Sequence, residues 1–405
     1  MNTVVIFILL LIVIIVLKNK IQICISKWTL IFWIVFLLQV LFSAILSSNL
    51  EMILLSNIQF ILLTGSIVFI EAHNTSDYSI KIFKIFLPLA IILTIYSIIM
   101  LVISPNFTLS PWGIKSNTIT LGPIKFIQLV FGKPGDYGYS SMTNNPNAYG
   151  YICALALILN NTSIYSKRSK IIQIACNIVC IVGVLLSNSR GAIVLILIML
   201  YMFLIFKNYF INKISKLKFY LYNLTGLLII FILVVFRNPM VESVVNTIYD
   251  TNGRIEIWNL LIKNTVEKNL LFGTGIGSNS HLIISSVDTD RTFSAFNVYI
   301  STFTELGLIG LAFLIFWILY TLKIQYDNLK KSVNIGKLRF ENEFLIYTFL
   351  ISTYVIAIVE NKFMNSSAFH CIWIYISLST IKRNKQYRSF NYIEKSIFKG
   401  EVLDE

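Results

Sequence analysis

Long apolar runs recur along the whole chain, and they constrain its fold more than any other feature. Runs of this length are typical of transmembrane helices, because the bilayer core holds no water and backbone polar groups must be paired within the segment. None shows the alternation of a membrane β-strand. The sequence therefore predicts an all-α polytopic membrane protein with about 11 transmembrane helices, placed at residues 3–17, 28–46, 52–70, 83–103, 148–160, 171–187, 191–206, 219–236, 297–322, 344–360 and 364–381.

The distribution of charge predicts the orientation. Only 13% of the residues are charged, against about 25% in soluble domains. With the N-terminus outside and the C-terminus inside, 23 of the 33 Lys and Arg residues face the cytoplasm, as the positive-inside rule requires. The net charge of +14 would by itself suit nucleic acid, but we expect no nucleic-acid partner, because the basic residues lie in short connectors as topology signals.

This orientation places two long polar segments outside the membrane. Residues 104–147 form an outer loop, and residues 237–296 form a larger one, which we interpret as the catalytic or substrate loop of a single integral membrane domain, 1–405. Residues 382–405 form a basic cytoplasmic tail facing membrane lipid. The five cysteines lie in or beside apolar runs without His or carboxylate companions, so we expect neither a disulfide framework nor a metal site.

The first outer segment ends in a polar, aromatic sequence, KPGDYGYSSMTNNPNAYGY, residues 133–151. Asn145, Asn147 and Tyr149 supply amide and aromatic groups at the entrance to the predicted span 148–160. Amides pair with hydroxyls and rings stack on sugar faces, so these residues are candidates for sugar binding. The alternative is a turn with an ordinary interfacial tyrosine belt.

Arg190 lies in SNSRGAIV, between two predicted spans. An arginine near lipid depth is costly and is usually paired or functional. A guanidinium among small polar residues can bind phosphate through two parallel hydrogen bonds. The alternative is an arginine whose side chain extends to the membrane interface.

A short amphipathic helix is predicted in the larger outer loop. Its start is marked by TNG, and Arg254 is its first residue. Ile255, Trp258, Ile262 and Val266 recur at helical spacing after it, which predicts an apolar face against the membrane surface or the helix bundle.

Three alternating glycines, Gly273, Gly275 and Gly277, follow in FGTGIGS. They lie in no strand–turn–helix unit and are not a dinucleotide fingerprint. Either they let backbone N–H groups approach an anionic or polar ligand, or they form a tight turn. His281 follows in the same outer loop and is a candidate catalytic residue, with a surface histidine as the alternative.

The predicted span 297–322 contains an acidic residue. Asn297 begins it, and Glu305 lies in its outer half. Ionisable groups inside a span are candidates for function, so Glu305 is a candidate catalytic residue and Asn297 a candidate substrate ligand. A packing or arginine-pairing role is the alternative for Glu305.

The order of these motifs resembles the O-antigen polymerase and ligase superfamily, that is, the Wzy-type polymerases and the lipid A core ligases. NNPNAYG, SNSRGA, GRIEIWNLLIKN with FGTGIGS, and NVYISTFTELGLIGL surround one large outer loop. The resemblance implies a glycosyltransferase that needs neither metal nor cofactor. Its donor and acceptor would be glycans linked to undecaprenyl diphosphate, outside the bacterial cytoplasmic membrane. Further partners could include a chain-length regulator and a flippase.

The resemblance also implies roles for two arginines. Arg190 matches the family's arginine after the small polar residues, and Arg254 matches the arginine that opens the loop helix. Both would hold the leaving diphosphate. Many members have a histidine just before the asparagine that starts the following span. Here that position is Phe296, which weakens the ligase interpretation more than the polymerase interpretation.

The resemblance favours a polymerase of lipid-linked repeat units for capsule, exopolysaccharide or O-antigen. A ligase that transfers a finished chain to lipid or protein is the first alternative. A transporter or flippase of the lipid-linked glycan is the second, although the sequence shows neither the inverted repeats nor the interrupted helices typical of transporters.

Overall fold

The computed structural model describes a large part of the chain. The described residues are 27–46, 50–73, 78–104, 108–109, 115–121, 124–131, 137–143, 145–165, 168–211, 214–215, 217–219, 221–222, 254–279, 282, 297–358 and 371–384. They are mostly helical. The chain forms two compact units, one comprising Met1–Asp77 with Tyr209–Glu405 and the other Tyr78–Asn208.

Ten longer helices and four strands are the main elements of the described residues. The helices are α1 (Lys27–Ile45), α2 (Leu50–His73), α3 (Ser79–Ile103), α4 (Pro146–Asn160), α5 (Lys170–Ser187), α6 (Arg190–Tyr201), α7 (Arg254–Lys268), α8 (Val298–Val333), α9 (Lys337–Ile356) and α10 (371–384). A π-helical segment, Met202–Phe206, and a short helix, Lys207–Phe210, continue α6. The strands are β1 (Thr108–Leu109), β2 (Lys115–Leu121), β3 (Ile124–Phe131) and β4 (Gly138–Tyr139).

Five of the described helices are long and apolar enough to cross a membrane. They are α1, α3, α5, α6 with its continuation to Phe210, and α8, and they coincide with the predicted spans 28–46, 83–103, 171–187, 191–206 and 297–322. Helices α2, α9 and α10 overlap three further predicted spans, whereas α4 has only 15 residues. The span 3–17 and most of 219–236 lie outside the described residues, so the total of about 11 remains a prediction.

The segment predicted to be an outer loop, 104–147, contains a small antiparallel sheet, in the order β1-β2-β3-β4. Ser116 pairs with Leu129 across β2 and β3. Gln128 in β3 donates from Nε2 to Ser97 Oγ in α3 at 2.9 Å. The all-α prediction missed these strands because neighbouring residues such as Ser116 and Asn117 are both buried, which removes the period of two that indicates a strand.

Helix α8 is longer than one crossing requires. Its 36 residues correspond to about 54 Å at 1.5 Å per residue, whereas the hydrocarbon core is about 30 Å thick. It is interrupted at Gly307, where φ is 70° and ψ is −170°. The expectation that the chain has no interrupted helix is therefore wrong at this position, because a glycine within an apolar run does not by itself indicate a break. The residues that follow Gly307 are numerous enough to span the bilayer alone, so the segment before it forms a separate short helix.

Two buried ion pairs join α10 to other helices of its unit. Lys382 Nζ lies 2.6 Å from Glu71 Oε1 in α2, and Arg383 Nε lies 3.2 Å from Glu343 Oε1 in α9. The sequence assigns Lys382 and Arg383 to a solvated tail. Both are instead only 4% exposed, because each finds a carboxylate on a different helix. These two residues therefore belong to the helix bundle.

We expect Lys382→Met to lower the thermal unfolding midpoint of the purified protein in detergent. Removing one member of a buried pair leaves an uncompensated charge, which costs about 3–5 kcal/mol. The double variant Glu71→Gln/Lys382→Met should recover most of the loss, and Lys337→Met, at an exposed lysine of α9, should change little. Equal midpoints for Lys382→Met and Lys337→Met would contradict the assignment.

Candidate functional site

The interruption of α8 leaves backbone groups without their helical partners. Thr304, Glu305 and Leu306 lie immediately before Gly307, and their carbonyls cannot form the usual bonds to N–H groups four residues ahead. The N–H groups of Leu308 and Ile309 point elsewhere. Unpaired backbone groups are costly in any buried site and more so at membrane depth. Their new partners therefore show what stabilises this region.

The loop between α7 and α8 supplies the backbone partners. Thr274 N–H donates to Thr304 O at 3.1 Å, and Gly275 N–H donates to Glu305 O at 2.8 Å. In the opposite direction, the N–H groups of Leu308 and Ile309 donate to Leu270 O at 3.0 Å and Leu271 O at 3.2 Å. We call residues 269–279 the glycine loop. It fills the gap in the α8 hydrogen-bond ladder.

Side chains from α1 complete the pairing. Ser43 Oγ donates to Glu305 O at 2.6 Å. Gln39 Nε2 donates to Leu306 O at 3.0 Å. Asn57 in α2 binds the glycine loop itself through both backbone groups of Ile276, at 3.1 and 3.3 Å. The first two helices of the described chain, α1 and α2, thus hold both the interruption and the loop.

Glu305 binds the glycine loop through its carboxylate. Its Oε1 accepts from Gly277 N–H at 3.1 Å, and the Asn279 backbone N–H and the Ser301 hydroxyl also donate to the carboxylate. The residue is only 6% exposed. A carboxylate with three internal donors is poorly placed to accept a substrate proton. The geometry therefore favours a positioning role over the catalytic role.

The three glycines of FGTGIGS use their N–H groups within the protein. Gly273 N–H donates to Asn269 O at 2.9 Å, while Gly275 and Gly277 donate to the backbone and carboxylate of Glu305. Gly273 has φ +73°, and a Cβ on it would lie 2.5 Å from the Glu305 carbonyl carbon. Of the two sequence interpretations, the tight turn is favoured over binding of an anionic ligand.

Helix α7 packs beside this region with a different face from the predicted one. It begins at Arg254, as predicted. Leu261 is 1% exposed, and Thr265 Oγ1 donates to Thr304 O at 3.3 Å. Ile255 and Val266 are 43% and 53% exposed, so the predicted apolar stripe is wrong at both ends. The carbonyl of Thr304 has no partner within α8, and its hydrogen bond with Thr265 determines which face of α7 is buried.

Asn297 caps α8. Its Oδ1 accepts from Tyr299 N–H at 2.9 Å and from Ile300 N–H at 3.0 Å, and the residue is 7% exposed. This use of the side chain gives Asn297 a role in starting the helix. His281 and Phe296 lie outside the described residues, so their interpretations remain predictions.

In the other unit, NNPNAYG forms the start of α4. Asn145 Oδ1 accepts from Asn147 N–H at 2.9 Å and from Ala148 N–H at 3.3 Å, with Pro146 as the first helical residue. Asn147 is partly exposed. Tyr149 is fully buried, and its hydroxyl donates to Thr94 Oγ1 at 3.1 Å. The Tyr149 ring belongs to the core and cannot stack on a sugar.

SNSRGA forms the tight connection between α5 and α6. Asn188 ends α5 in the left-handed conformation, with φ 48°. Ser189 caps α6, its Oγ accepting from Ala192 N–H at 3.3 Å. Arg190 is the first residue of α6 and is exposed.

The two motifs meet at the N-terminal ends of α4 and α6. A Cβ on Gly150 would lie 2.5 Å from Ser187 Oγ and 2.7 Å from Ser189 Cβ. A Cβ on Gly138 in β4 would lie 2.7 Å from Ser187 O. The sequence interpretation missed these two glycines, whose signal is their place inside the polar motifs. Their lack of a side chain allows the close approach.

This arrangement concentrates positive potential around Arg190. Each helix N-terminus carries a partial positive charge and N–H groups without intrahelical acceptors. Arg190 adds a full charge and a planar set of donors. Such a site suits a phosphate or diphosphate group. Among the described residues, no three His, Cys, Asp or Glu side chains lie together as a ligand set for a metal.

Comparison with known proteins supports the resemblance. A family model described as O-Antigen ligase matches residues 175–315, which include Arg190, Arg254, the glycine loop and Glu305. The match confirms the similarity to the O-antigen polymerase and ligase superfamily. Asn145, Asn147 and Tyr149 lie before the matched range. No curated protein matches the chain.

We expect Gly273→Ala to destabilise the protein by at least about 2 kcal/mol, because alanine is strained at φ +73° and its Cβ meets the backbone of α8. The thermal unfolding midpoint of the purified protein measures the effect. Gly65→Ala is the matched control. It lies in α2, where a Cβ would meet only Leu37 Cδ1 at 3.5 Å, and it should be neutral or stabilising. A Gly273→Ala midpoint at the wild-type value would refute the close contact.

We expect Glu305→Ala to release the glycine loop. Hydrogen bonds to a charged group each contribute about 1.5–3 kcal/mol, so amide hydrogen exchange in peptide 269–279 should accelerate by at least about tenfold. Ser301→Ala removes one donor and should produce a smaller acceleration. Glu267→Ala, at an exposed glutamate of α7, is the control. Unchanged exchange in Glu305→Ala would show that the carboxylate does not hold the loop.

Proposed function

We propose that this chain polymerises oligosaccharide repeat units linked to undecaprenyl diphosphate, on the outer face of the bacterial cytoplasmic membrane. The product would be a capsule, exopolysaccharide or O-antigen chain. The family match and the five candidate spans support the broader class, a multi-pass membrane enzyme of the glycosyltransferase type. The polymerase activity and its substrates are the further step of the proposal.

The place of Arg190, as the exposed first residue of α6 beside the start of α4, carries the proposal. A lipid-linked donor presents a diphosphate, which is the strongest anion in such a substrate. Preorganised donors at the position where charge develops are the largest contribution to many enzymatic rate enhancements. Arg190 would meet this requirement in the proposed mechanism without a metal ion.

The reaction requires one bond to form and one to break. The hydroxyl of the acceptor sugar attacks the anomeric carbon of the donor. The bond between that carbon and the diphosphate oxygen breaks, and its electron pair leaves with undecaprenyl diphosphate. A single displacement inverts the anomeric centre. Arg190 would stabilise the charge that develops on the leaving oxygen.

The acceptor hydroxyl must also lose a proton. Of the two sequence candidates, Glu305 has its carboxylate engaged by Gly277, Asn279 and Ser301. We therefore assign the proton to His281 as the remaining candidate base, although it lies outside the described residues. Arg254, as the first residue of α7, has the phosphate-binding role that the resemblance implies.

A ligase of the same superfamily is the second candidate, because the matching family is described as O-Antigen ligase. The two activities differ in their acceptor. Phe296, at the position where many ligases have a histidine, favours the polymerase. Asn145 and Asn147, at the start of α4, are the candidate sugar ligands for either activity.

We expect Arg190→Ala to reduce glycan polymerisation by about 10²–10³-fold, which is the usual effect of removing one group that stabilises a developing oxyanion. Arg190→Lys should retain part of the activity, since it keeps the charge but loses the planar pair of donors. Surface glycan ladders and lipid-linked intermediates give the readout at matched protein levels. Arg168→Ala, at an arginine that lies over the Tyr165 ring, is the control. A normal ladder with Arg190→Ala would remove Arg190 from the mechanism, and Arg254→Ala is to be tested in the same way.

A deletion strain distinguishes the functions. We expect single repeat units linked to undecaprenyl diphosphate to accumulate on the outer leaflet, because their polymerisation stops. Long lipid-linked chains that never reach an anchor would assign the ligase activity instead. Units trapped on the inner leaflet would indicate a flippase. Extraction of lipid-linked glycans and mass spectrometry separate the three results.

A further inference from the structure

A second cationic side chain lies on the small sheet of the unit that contains Arg190. Lys115 is the first residue of β2 and is exposed. Segment 104–147, which we predict to lie outside the membrane, carries three lysines and one aspartate. Positive residues of membrane proteins otherwise concentrate on the cytoplasmic side. A basic segment on the outer side therefore favours an anionic ligand at this surface.

Tyr137 holds the ammonium group of Lys115. Lys115 Nζ donates to the Tyr137 hydroxyl at 3.4 Å and lies 5.3 Å from the centroid of the Tyr137 ring. Attraction between a cation and the face of an aromatic ring stabilises this position. An ammonium has three N–H donors. Because the side chain is exposed, its further donors can reach a ligand.

The start of β4 shows where this pair lies. Gly138 follows Tyr137 directly and is the first residue of β4. A Cβ on Gly138 would lie 2.7 Å from Ser187 O and 3.4 Å from Pro146 Cβ. Ser187 ends α5 three residues before Arg190, and Pro146 begins α4. Consecutive Cα atoms are about 3.8 Å apart, so Tyr137 lies within one residue of the place where the two motifs meet.

Lys115 supplies a charge that Arg190 alone does not. A lipid-linked donor has two phosphate groups, and one guanidinium matches one phosphate through two parallel hydrogen bonds. An ammonium is a compact charge on a flexible stem, so it can move from the Tyr137 ring to a second phosphate. The two cations together fit a diphosphate better than a monophosphate.

We propose that Lys115 binds the diphosphate of the lipid-linked donor and that Tyr137 positions it. Arg190 binds the phosphate that bears the sugar, and Lys115 binds the phosphate that bears the lipid. The site then prefers a lipid diphosphate, which distinguishes a loaded donor from a carrier with a single phosphate. The inference rests on the phosphate site of the proposed function, and it holds for a polymerase and a ligase alike.

Binding of sugar-free lipids tests this preference. The full-length protein in detergent micelles is titrated with undecaprenyl diphosphate and with undecaprenyl phosphate, and each Kd is measured by thermophoresis. We expect the wild type to bind the diphosphate at least about tenfold more tightly, the effect of one hydrogen bond to a charged group. Lys115→Ala should lose this preference and keep its Kd for the monophosphate. If Lys115→Ala does not fold, Lys115→Gln gives the same comparison.

Two variants separate Lys115 from the general charge of the sheet. Lys125→Ala removes an equal charge at an exposed lysine of β3. Lys125 pairs with Thr120, five residues along β2 from Lys115, or about 17 Å, so this variant should keep the wild-type preference. Lys115→Arg keeps a cation at the position and should retain most of the preference.

Variants of Tyr137 test the positioning role. Tyr137→Ala removes the ring that holds the ammonium, so the preference for diphosphate should fall by about threefold. Tyr137→Phe keeps the ring face and should remain close to the wild type. A purely structural role of Tyr137 would lower both affinities and the thermal unfolding midpoint together, and the preference would not change.

The outcomes separate this inference from the proposed function. Arg190→Ala should weaken the binding of both lipids. If it does so while Lys115→Ala retains the tenfold preference, the assignment of Lys115 is overturned and the Arg190 site stands. Wild-type binding of both lipids by Arg190→Ala would reject the phosphate site of the proposed function, and this inference with it.

Discussion

The break in the backbone hydrogen bonds of α8 at Gly307 is the constraint on which the rest of this unit depends. A bilayer offers no water to an exposed carbonyl, so irregular backbone is tolerated only where protein surrounds it. Three consecutive carbonyls are paired by a loop, by α1 and by α7. The interrupted helix, α1, α7 and the glycine loop are therefore one structure at this point. None of them would keep its conformation without the others.

Glu305 shows how an ionisable side chain inside a helix can fix the position of a neighbouring loop. Its carboxylate binds backbone N–H groups of the glycine loop, which have no other acceptor within the interrupted helix. A neutral side chain would bind the same donors less strongly. The phosphate site that we propose lies instead around Arg190, where the α4 and α6 N-termini meet. We thus assign the positioning of the glycine loop to Glu305, and the stabilisation of charge on the leaving diphosphate to Arg190.

Local patterns predicted much of the described structure. Apolar runs located the membrane helices, the TNGR sequence located the first residue of α7, and the alternating glycines indicated a turn. Contacts between distant residues could not be derived in this way. Ser43 and Glu305 are 262 positions apart, and nothing in either neighbourhood indicates the other. The same limit explains why Tyr149, Lys382 and Arg383 were expected at a surface, since their partners lie on other helices. It also explains why α7 buries a different face from its most apolar one.

The order of these partners along the chain bears on biogenesis. The donors that close the α8 interruption, in α1, α7 and the glycine loop, all precede it in the sequence, as does the asparagine of α2 that holds the loop. At about 5–20 residues per second, α1 leaves the ribosome on the order of ten seconds or more before Gly307. The backbone groups at the interruption can thus form their hydrogen bonds as soon as this segment leaves the ribosome, because all these partners have already been synthesised. The ion pairs of α10 form later, because Glu71 and Glu343 are synthesised before Lys382 and Arg383. The contacts described for this unit can therefore form in the order in which the chain is synthesised.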